Sequence, residues 1–240
     1  MNQTVLITGA SRGIGREIAI SFAKEKDNLY LVCQKNIDEL NALAVNLEEN
    51  YAVSCKTFQG DVGDFGFVEK MFKSIPSIDI VINNAGIAWL GLLSDMSPEE
   101  WQHLMNTNLF SLYNTSKFCI PLMLQKGHGR IINISSVWGD VGASCEVAYS
   151  ASKGGVNAYT KALAKELAPS GISVNAVSCG VIDTDMNRSH LSDDEMEVLK
   201  EEIPEGRLGT PMEVAGLVVL VSKAPLYMTG QIITIDGGWQ

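Results

Sequence analysis

The chain has 240 residues, 46% hydrophobic and 19% charged, with a formal net charge of −10. That suits one α/β domain with a large core, and it excludes nucleic acid and anionic membrane as partners, since both need a basic face. The five cysteines, at 33, 55, 119, 145 and 179, form no CxxC pair and read as reduced thiols of a cytoplasmic protein.

The N-terminus enters an apolar strand at once, Thr4 to Thr8, which is not how a signal peptide reads. Gly9-Ala-Ser-Arg-Gly13-Ile-Gly15 follows, and from Ile14 to Ala23 apolar residues fall at helical spacing. A strand, a glycine-rich turn and a helix start together form an anion site, because bare backbone N–H groups and the helix dipole point at a phosphate. The second strand, Leu29 to Cys33, ends in Gln34-Lys35-Asn36 before a helix from Ile37 to Glu49. An acid at this strand end would accept the 2′-hydroxyl of NAD, whereas cations suit the 2′-phosphate of NADP. Gln34 is no acid, and Lys35 with Arg12 supplies two cations. The expected cofactor is NADP(H).

A third strand, Val53 to Gln59, leads to Asp61-Val62, and Asp64 to Phe72 is an amphipathic helix. The fourth strand, Asp79 to Ile82, ends in Asn83-Asn84-Ala85-Gly86. Adjacent asparagines at a buried strand end are costly unless their amides are used. Ser97-Pro98-Glu99-Glu100 is a capping box with proline at the first helical position, opening a helix that continues through Asn108 to about Gln125. Asn108 sits among apolar neighbours and is expected to face the interior.

Arg130 to Ser135 is the fifth strand, followed by Ser136, a loop and a long helix from Ala148 to Ala168. Tyr149 and Lys153 lie four apart, hence on one face of that helix. A neighbouring ammonium would lower the phenol's pKa and fit it for proton exchange with a ketone or alcohol, with Ser136 able to bond the same oxygen. The sixth strand, Ile172 to Ser178, precedes a long connection from Cys179 to Thr210 with an acidic helix from Ser192 to Glu202; such a connection reads as a lid. Pro211 starts another helix, and Gln231 to Ile235 closes the chain before Gly237-Gly238-Trp239. The longest apolar run, 216–221, is too short to span a bilayer. Strands and helices alternate throughout, which predicts one Rossmann-type, doubly wound parallel sheet with its ligand at the carboxyl ends of the strands. No metal site is expected.

These motifs in this order resemble the short-chain dehydrogenase/reductases over the whole length, including the closing Thr229-Gly230-Gln231 and Asp236-Gly237-Gly238. The resemblance implies a single domain, 1–240, with about seven strands in the order 3-2-1-4-5-6-7 and residues 179–210 as a substrate lid. It implies a catalytic tetrad: Tyr149 donating the proton, Ser136 orienting the carbonyl, Lys153 tuning Tyr149 and holding the nicotinamide ribose, and Asn108 holding a relay water. The implied cofactor-binding residues are Gly9, Ser11, Arg12, Gly13, Ile14, Gly15, Lys35, Asp61, Val62, Asn84, Ala85, Gly86, Tyr149, Lys153, Gly180, Ile182 and Thr184. Homotetramers through the long helices are the family habit.

Within the family, Ser178 to Met186 and Arg207-Leu208-Gly209-Thr210-Pro211 resemble the 3-oxoacyl-[acyl-carrier-protein] reductases of fatty acid synthesis, which implies an acyl carrier protein as partner. Cys179 replaces their proline, and Gly127 and Ser170 stand where some members carry arginine. An acidic carrier protein would need a local basic patch, for which Lys126, Lys161 and Lys165 are the candidates. A competing resemblance, over Ser135 to Glu146, is to the elongation factor P aminopentanone reductases. It places Trp138 and Glu146 on the substrate beside Ser136 and Tyr149, with Glu146 either pairing with a substrate ammonium or capping the helix that carries Tyr149. A reading of another class is a non-catalytic NADP-binding redox sensor.

Overall fold

The structure, a computed structural model, describes residues 2–188 and 193–240. Seven strands, β1 (Thr4–Thr8), β2 (Asn28–Cys33), β3 (Cys55–Gln59), β4 (Ile80–Asn83), β5 (Gly129–Ser136), β6 (Ile172–Cys179) and β7 (Ile232–Ile235), form one sheet. Its order is β3-β2-β1-β4-β5-β6-β7, and every pairing is parallel. The helices are α1 (Gly13–Lys24), α2 (Ile37–Tyr51), α3 (Phe65–Phe72), α4 (Pro98–Met105), α5 (Ser111–Lys126), α6 (Trp138–Val141), α7 (Val147–Leu167), α8 (Asp185–Arg188), α9 (Asp193–Glu202) and α10 (Pro211–Lys223). This is the Rossmann-type doubly wound arrangement that the sequence predicts.

Both faces of the sheet are covered, so the inner strands are apolar at consecutive positions rather than alternating with polar ones. Val5, Ile7, Ile80, Ile82, Ile132 and Ile134 point into the layer of α1, α2 and α10. Leu6, Val81, Ile131 and Val174 point into the opposite layer of α3, α5 and α7. A polar thread crosses this second layer. Thr115 of α5 donates to Asn83 Oδ1 (2.8 Å), Asn83 Nδ2 to Asn133 Oδ1 (2.8 Å), and Asn133 Nδ2 to Thr160 Oγ1 of α7 (2.9 Å). All four residues are buried, and each bond removes a desolvation penalty that would otherwise stand.

Several boundaries differ from expectation. The single helix expected to run to about Gln125 is α4, a π-helical turn at Asn106–Phe110, and α5. Asp79 precedes β4 instead of opening it, and its carboxylate accepts Thr4 N (2.8 Å) and pairs with Lys126. The expected capping box of Ser97 with Glu100 forms, and a second one, Thr210 with Glu213, opens α10. The expected start of the acidic helix at Ser192 lies outside the described residues. Among those residues no helix is long and apolar enough to cross a membrane.

Candidate active site

The carboxyl ends of β1, β2, β4, β5 and β6 border one cleft of about 500 Å³. The glycine turn at its floor is built by close approach. Gly9 (φ 67°) and Gly13 (φ 53°) adopt the left-handed conformation that glycine tolerates. Gly15 has no room for a Cβ, which would overlap Gly9 O and Asn84 Nδ2. Asn84 holds the turn by donating Nδ2 to Thr8 O (2.9 Å) and Gly9 O (3.1 Å). Thr8 Oγ1 accepts from Asn84 N and Ala85 N, both at 3.0 Å, so one hydroxyl ties the end of β1 to the end of β4. Helix α1 then starts at Arg12 with no side-chain cap and no acid in its first turn. Its free N–H groups face the cleft, and a phosphate is the group they suit. Ser11, Ile14, Gly86, Gly180, Ile182 and Thr184 line the same cleft, as do Asp61, Val62 and Ala85.

At the far end, Gln34 donates Nε2 to Asp61 Oδ2 (3.0 Å), while Asp61 Oδ1 accepts Gly63 N (2.7 Å). Lys35 is exposed at this rim, and Arg12 is exposed on the glycine turn of the same cleft, 3.9 Å from Asp185. A dinucleotide therefore meets backbone N–H groups at its phosphates and cations at its adenosine end, and the residues fit an NADP-type cofactor.

The other half of the cleft carries the chemistry. Lys153 Nζ donates to Ile134 O (2.9 Å) and lies 5.5 Å from the centroid of the Tyr149 ring. Ser136 Oγ, at the end of β5, accepts Trp138 N (3.3 Å) and stands beside the phenol. The electrostatic expectation for the phenol needs correction. Burial, not Lys153, dominates Tyr149: desolvation pushes the phenol up, the Glu146 carboxylate adds to it, and the Ser136 hydroxyl only partly opposes. Burial also pulls Lys153 down to about 8, with Cys179 partly opposing. Both effects have one cause, the expense of charge in an apolar surround. Tyr149 is thus held protonated, as an acid and not a phenolate.

Asn108 is brought to this wall by the π-helical turn, but its side chain is committed. Nδ2 donates to Ile87 O (2.9 Å) and Ser152 Oγ (3.1 Å), and Oδ1 accepts Ile87 N (2.8 Å). With both amide protons used, a relay water would have to be held by the main chain of this turn. Glu146 lines the cleft at the N-cap position of α7 and makes no capping hydrogen bond through its side chain. Cys179 is buried, and desolvation pushes its thiol up to about 12, which leaves it unreactive.

The cations named for a carrier protein are elsewhere. Lys126 pairs with Asp79 at the opposite, amino-terminal edge of the sheet. Lys161 and Lys165 are exposed on α7 but lie about 12 and 18 Å beyond Lys153 along the helix axis. Sequence reasoning also missed Trp239, which enters the cleft from beyond β7. Its only signal was the Asp236-Gly237-Gly238 turn before it; nothing local showed where that turn aims.

Comparison with known proteins agrees with this geometry. The sequence model of the short chain dehydrogenases matches residues 3–195. The chain belongs to that family of oxidoreductases. An uncharacterized oxidoreductase, YmfI of Bacillus subtilis, is 39% identical, with 100% of this chain and 99% of that protein aligned. The 3-oxoacyl-[acyl-carrier-protein] reductase FabG of Staphylococcus epidermidis is 38% identical over 99% of each chain. Among solved structures, YwfH, an NADPH-dependent reductase involved in bacilysin biosynthesis, superposes with a TM-score of 0.94 at 25% identity, covering 100% of this chain and 99% of that one. A structure described as an NAD(P)-dependent gluconate 5-dehydrogenase of Beutenbergia cavernae, with NADP bound at low occupancy, gives 0.92 at 30% identity, covering 99% and 96%.

Proposed function

We propose that this protein is an NADP(H)-dependent reductase that converts a ketone to a secondary alcohol. The observation that carries the reading is the convergence of Tyr149, Lys153 and Ser136 on one wall of a cleft whose other half suits a dinucleotide. Bound NADPH supplies the hydride for the carbonyl carbon. The Ser136 hydroxyl donates to the substrate oxygen and orients it. Tyr149 Oη, kept protonated by burial, gives its proton to that oxygen as it becomes a hydroxyl. The Lys153 ammonium, about one helical turn away, stabilises the phenolate left behind, and solvent restores the proton. Arg12 and Lys35 take the 2′-phosphate, so NADPH is expected to bind more tightly than NADH; a lower dissociation constant for NADH refutes that assignment.

The substrate that the FabG relative suggests is a 3-oxoacyl thioester presented by an acyl carrier protein, the substrate for which that relative is named. Acetoacetyl thioester with NADPH is the direct test, read at 340 nm by the usual nucleotide absorbance and repeated with Tyr149→Phe. Turnover that survives the substitution eliminates the mechanism. A second reading, reduction of a small amino ketone on elongation factor P, draws on one specific observation: Glu146 is in the cleft beside Tyr149, while the candidate carrier-binding lysines are not near its mouth. Glu146→Gln separates the two. It should raise the KM of an amino ketone at least about tenfold while leaving the KM of the thioester nearly unchanged, because only the former loses a charged partner. We place the enzyme in the cytoplasm, in keeping with five unpaired cysteines, and expect the homotetramer that the family resemblance implies; light scattering tests the assembly.

A further inference from the structure

Two indoles meet at the lid side of the cleft. Trp138, two residues after Ser136, and Trp239, beyond β7, have ring centroids 4.8 Å apart and planes inclined by 62°. That is edge-to-face contact, so nothing as wide as an alkyl chain passes between them. Both rings line the cleft that holds Ser136 and Tyr149.

Trp239 is not free to swing away. Gly237 and Gly238, both left-handed (φ 70° and 82°), turn the chain back over the cleft after β7. Asp236 fixes that turn, its carboxylate accepting Gly238 N (3.0 Å) and Gln240 N (2.9 Å). Glu205 N donates to Gly237 O (3.2 Å), which ties the turn to the segment after α9. The indole also packs on a small core of Met196, Ile203 and Leu208. Moving the ring would unpack that core.

We propose that Trp239 is a specificity-determining residue: held by the lid core and braced on Trp138, it closes the substrate end of the cleft and restricts the enzyme to ketones with short substituents. The proposal rests on the ketone-reductase reading and narrows it. An enzyme serving every round of fatty acid elongation must admit growing chains, and a closed wall selects against them.

In an open apolar pocket each added methylene strengthens binding about fourfold. Against a closed wall that gain stops. The test measures, by calorimetry on the NADP⁺-loaded protein, the affinity for 3-oxoacyl thioesters of N-acetylcysteamine from four to ten carbons. Wild type should gain less than about tenfold across the series, and Trp239→Ala and Trp138→Ala should each gain at least about tenfold more for the ten-carbon member than for the four-carbon one. Trp239→Leu, which keeps an apolar group on the lid core, guards against misfolding and should fall between. A wild type that already gains several-fold per methylene, or that binds none of the series, overturns the proposal. So do variants that shift every length equally, since that is what a merely structural tryptophan would do. NADPH oxidation is followed separately. Oxidation of short ketones with an unaltered length profile sinks the wall alone, whereas the expected binding profile without oxidation sinks the reductase reading alone.

Discussion

Replacing Asn133 by leucine, a side chain with the same number and branching of heavy atoms, should destabilise the protein more than its change in shape warrants. Asn133 is completely buried and receives the Nδ2 proton of Asn83 while donating its own to Thr160. Thr160 is left in tolerable condition, because its hydroxyl still donates to Val156 O (2.8 Å). Asn83 is not, since its amide then has no acceptor. A buried donor without a partner costs about 1–3 kcal/mol beyond the bonds lost, so the single variant should lose about 3 kcal/mol. Asn83→Leu should be comparably costly, because it strands Asn133 Oδ1. The double variant strands neither. Thr115 retains Ser111 O and Leu112 O, both at 3.1 Å. Urea unfolding of all four proteins should give a double variant about 1–3 kcal/mol more stable than the sum of the singles predicts. Additive losses, within about 0.5 kcal/mol, would show that the thread is not a coupled network and refute the reasoning.

Lys153 carries a cost of the opposite kind. Its folded pKa of about 8 lies below the ordinary 10.5 because of burial, so the unfolded chain binds more protons between those values and stability should rise with pH across that window. The fall corresponds to about 3 kcal/mol at neutral pH, and Lys153→Met, although it gives up the bond to Ile134 O, should still unfold at higher urea at pH 7 while losing activity; equal or lower stability would contradict this. In the wild type, kcat/KM should decline above about pH 8 as Lys153 loses its proton, and a rate that stays flat to pH 10 argues against its role. At Asp79, burial raises the carboxyl but Lys126, Thr4 N and His128 outweigh it, leaving the pKa lowered. Its contribution is present above about pH 4, where the unfolded carboxyl is ionised, and is lost as pH falls through the lowered folded value. Asp79→Asn should cost about 2 kcal/mol at pH 7, with the gap closing in acid; a gap that is constant down to pH 2 would assign the loss to packing.

The sheet was readable because each strand is marked by an apolar run and each crossover by a helix start, so a parallel, doubly wound sheet followed from alternation, whereas its strand order came from the family resemblance. The glycine turn was equally legible, since Gly9, Gly13 and Gly15 are demanded by backbone geometry within one short segment. What depended on distance in space was not. Tyr149 and Lys153 are neighbours by helical periodicity, but whether the cation or the burial governs the phenol depends on how much protein surrounds both. Lys126 looked available because sequence does not show that α5 ends at the opposite edge of the sheet, beside Asp79. The π-helical turn at Asn106–Phe110 leaves the apolar pattern almost unchanged, which hid the device that swings Asn108 inward. Trp239 lies about a hundred residues from Trp138, and no local rule joins them.

The crowding around Gly9, Gly15 and Asn84 divides the cleft into parts with different freedom to change. Where any dinucleotide's phosphates would lie, atoms are already at contact, and even a methyl group displaces the turn. Lys35 and Arg12 stand exposed on the rim, bound to nothing in the interior. Exchange of cofactor preference is therefore open to one or two surface substitutions with no penalty to folding, while affinity for the shared core of NAD and NADP is fixed by the backbone itself.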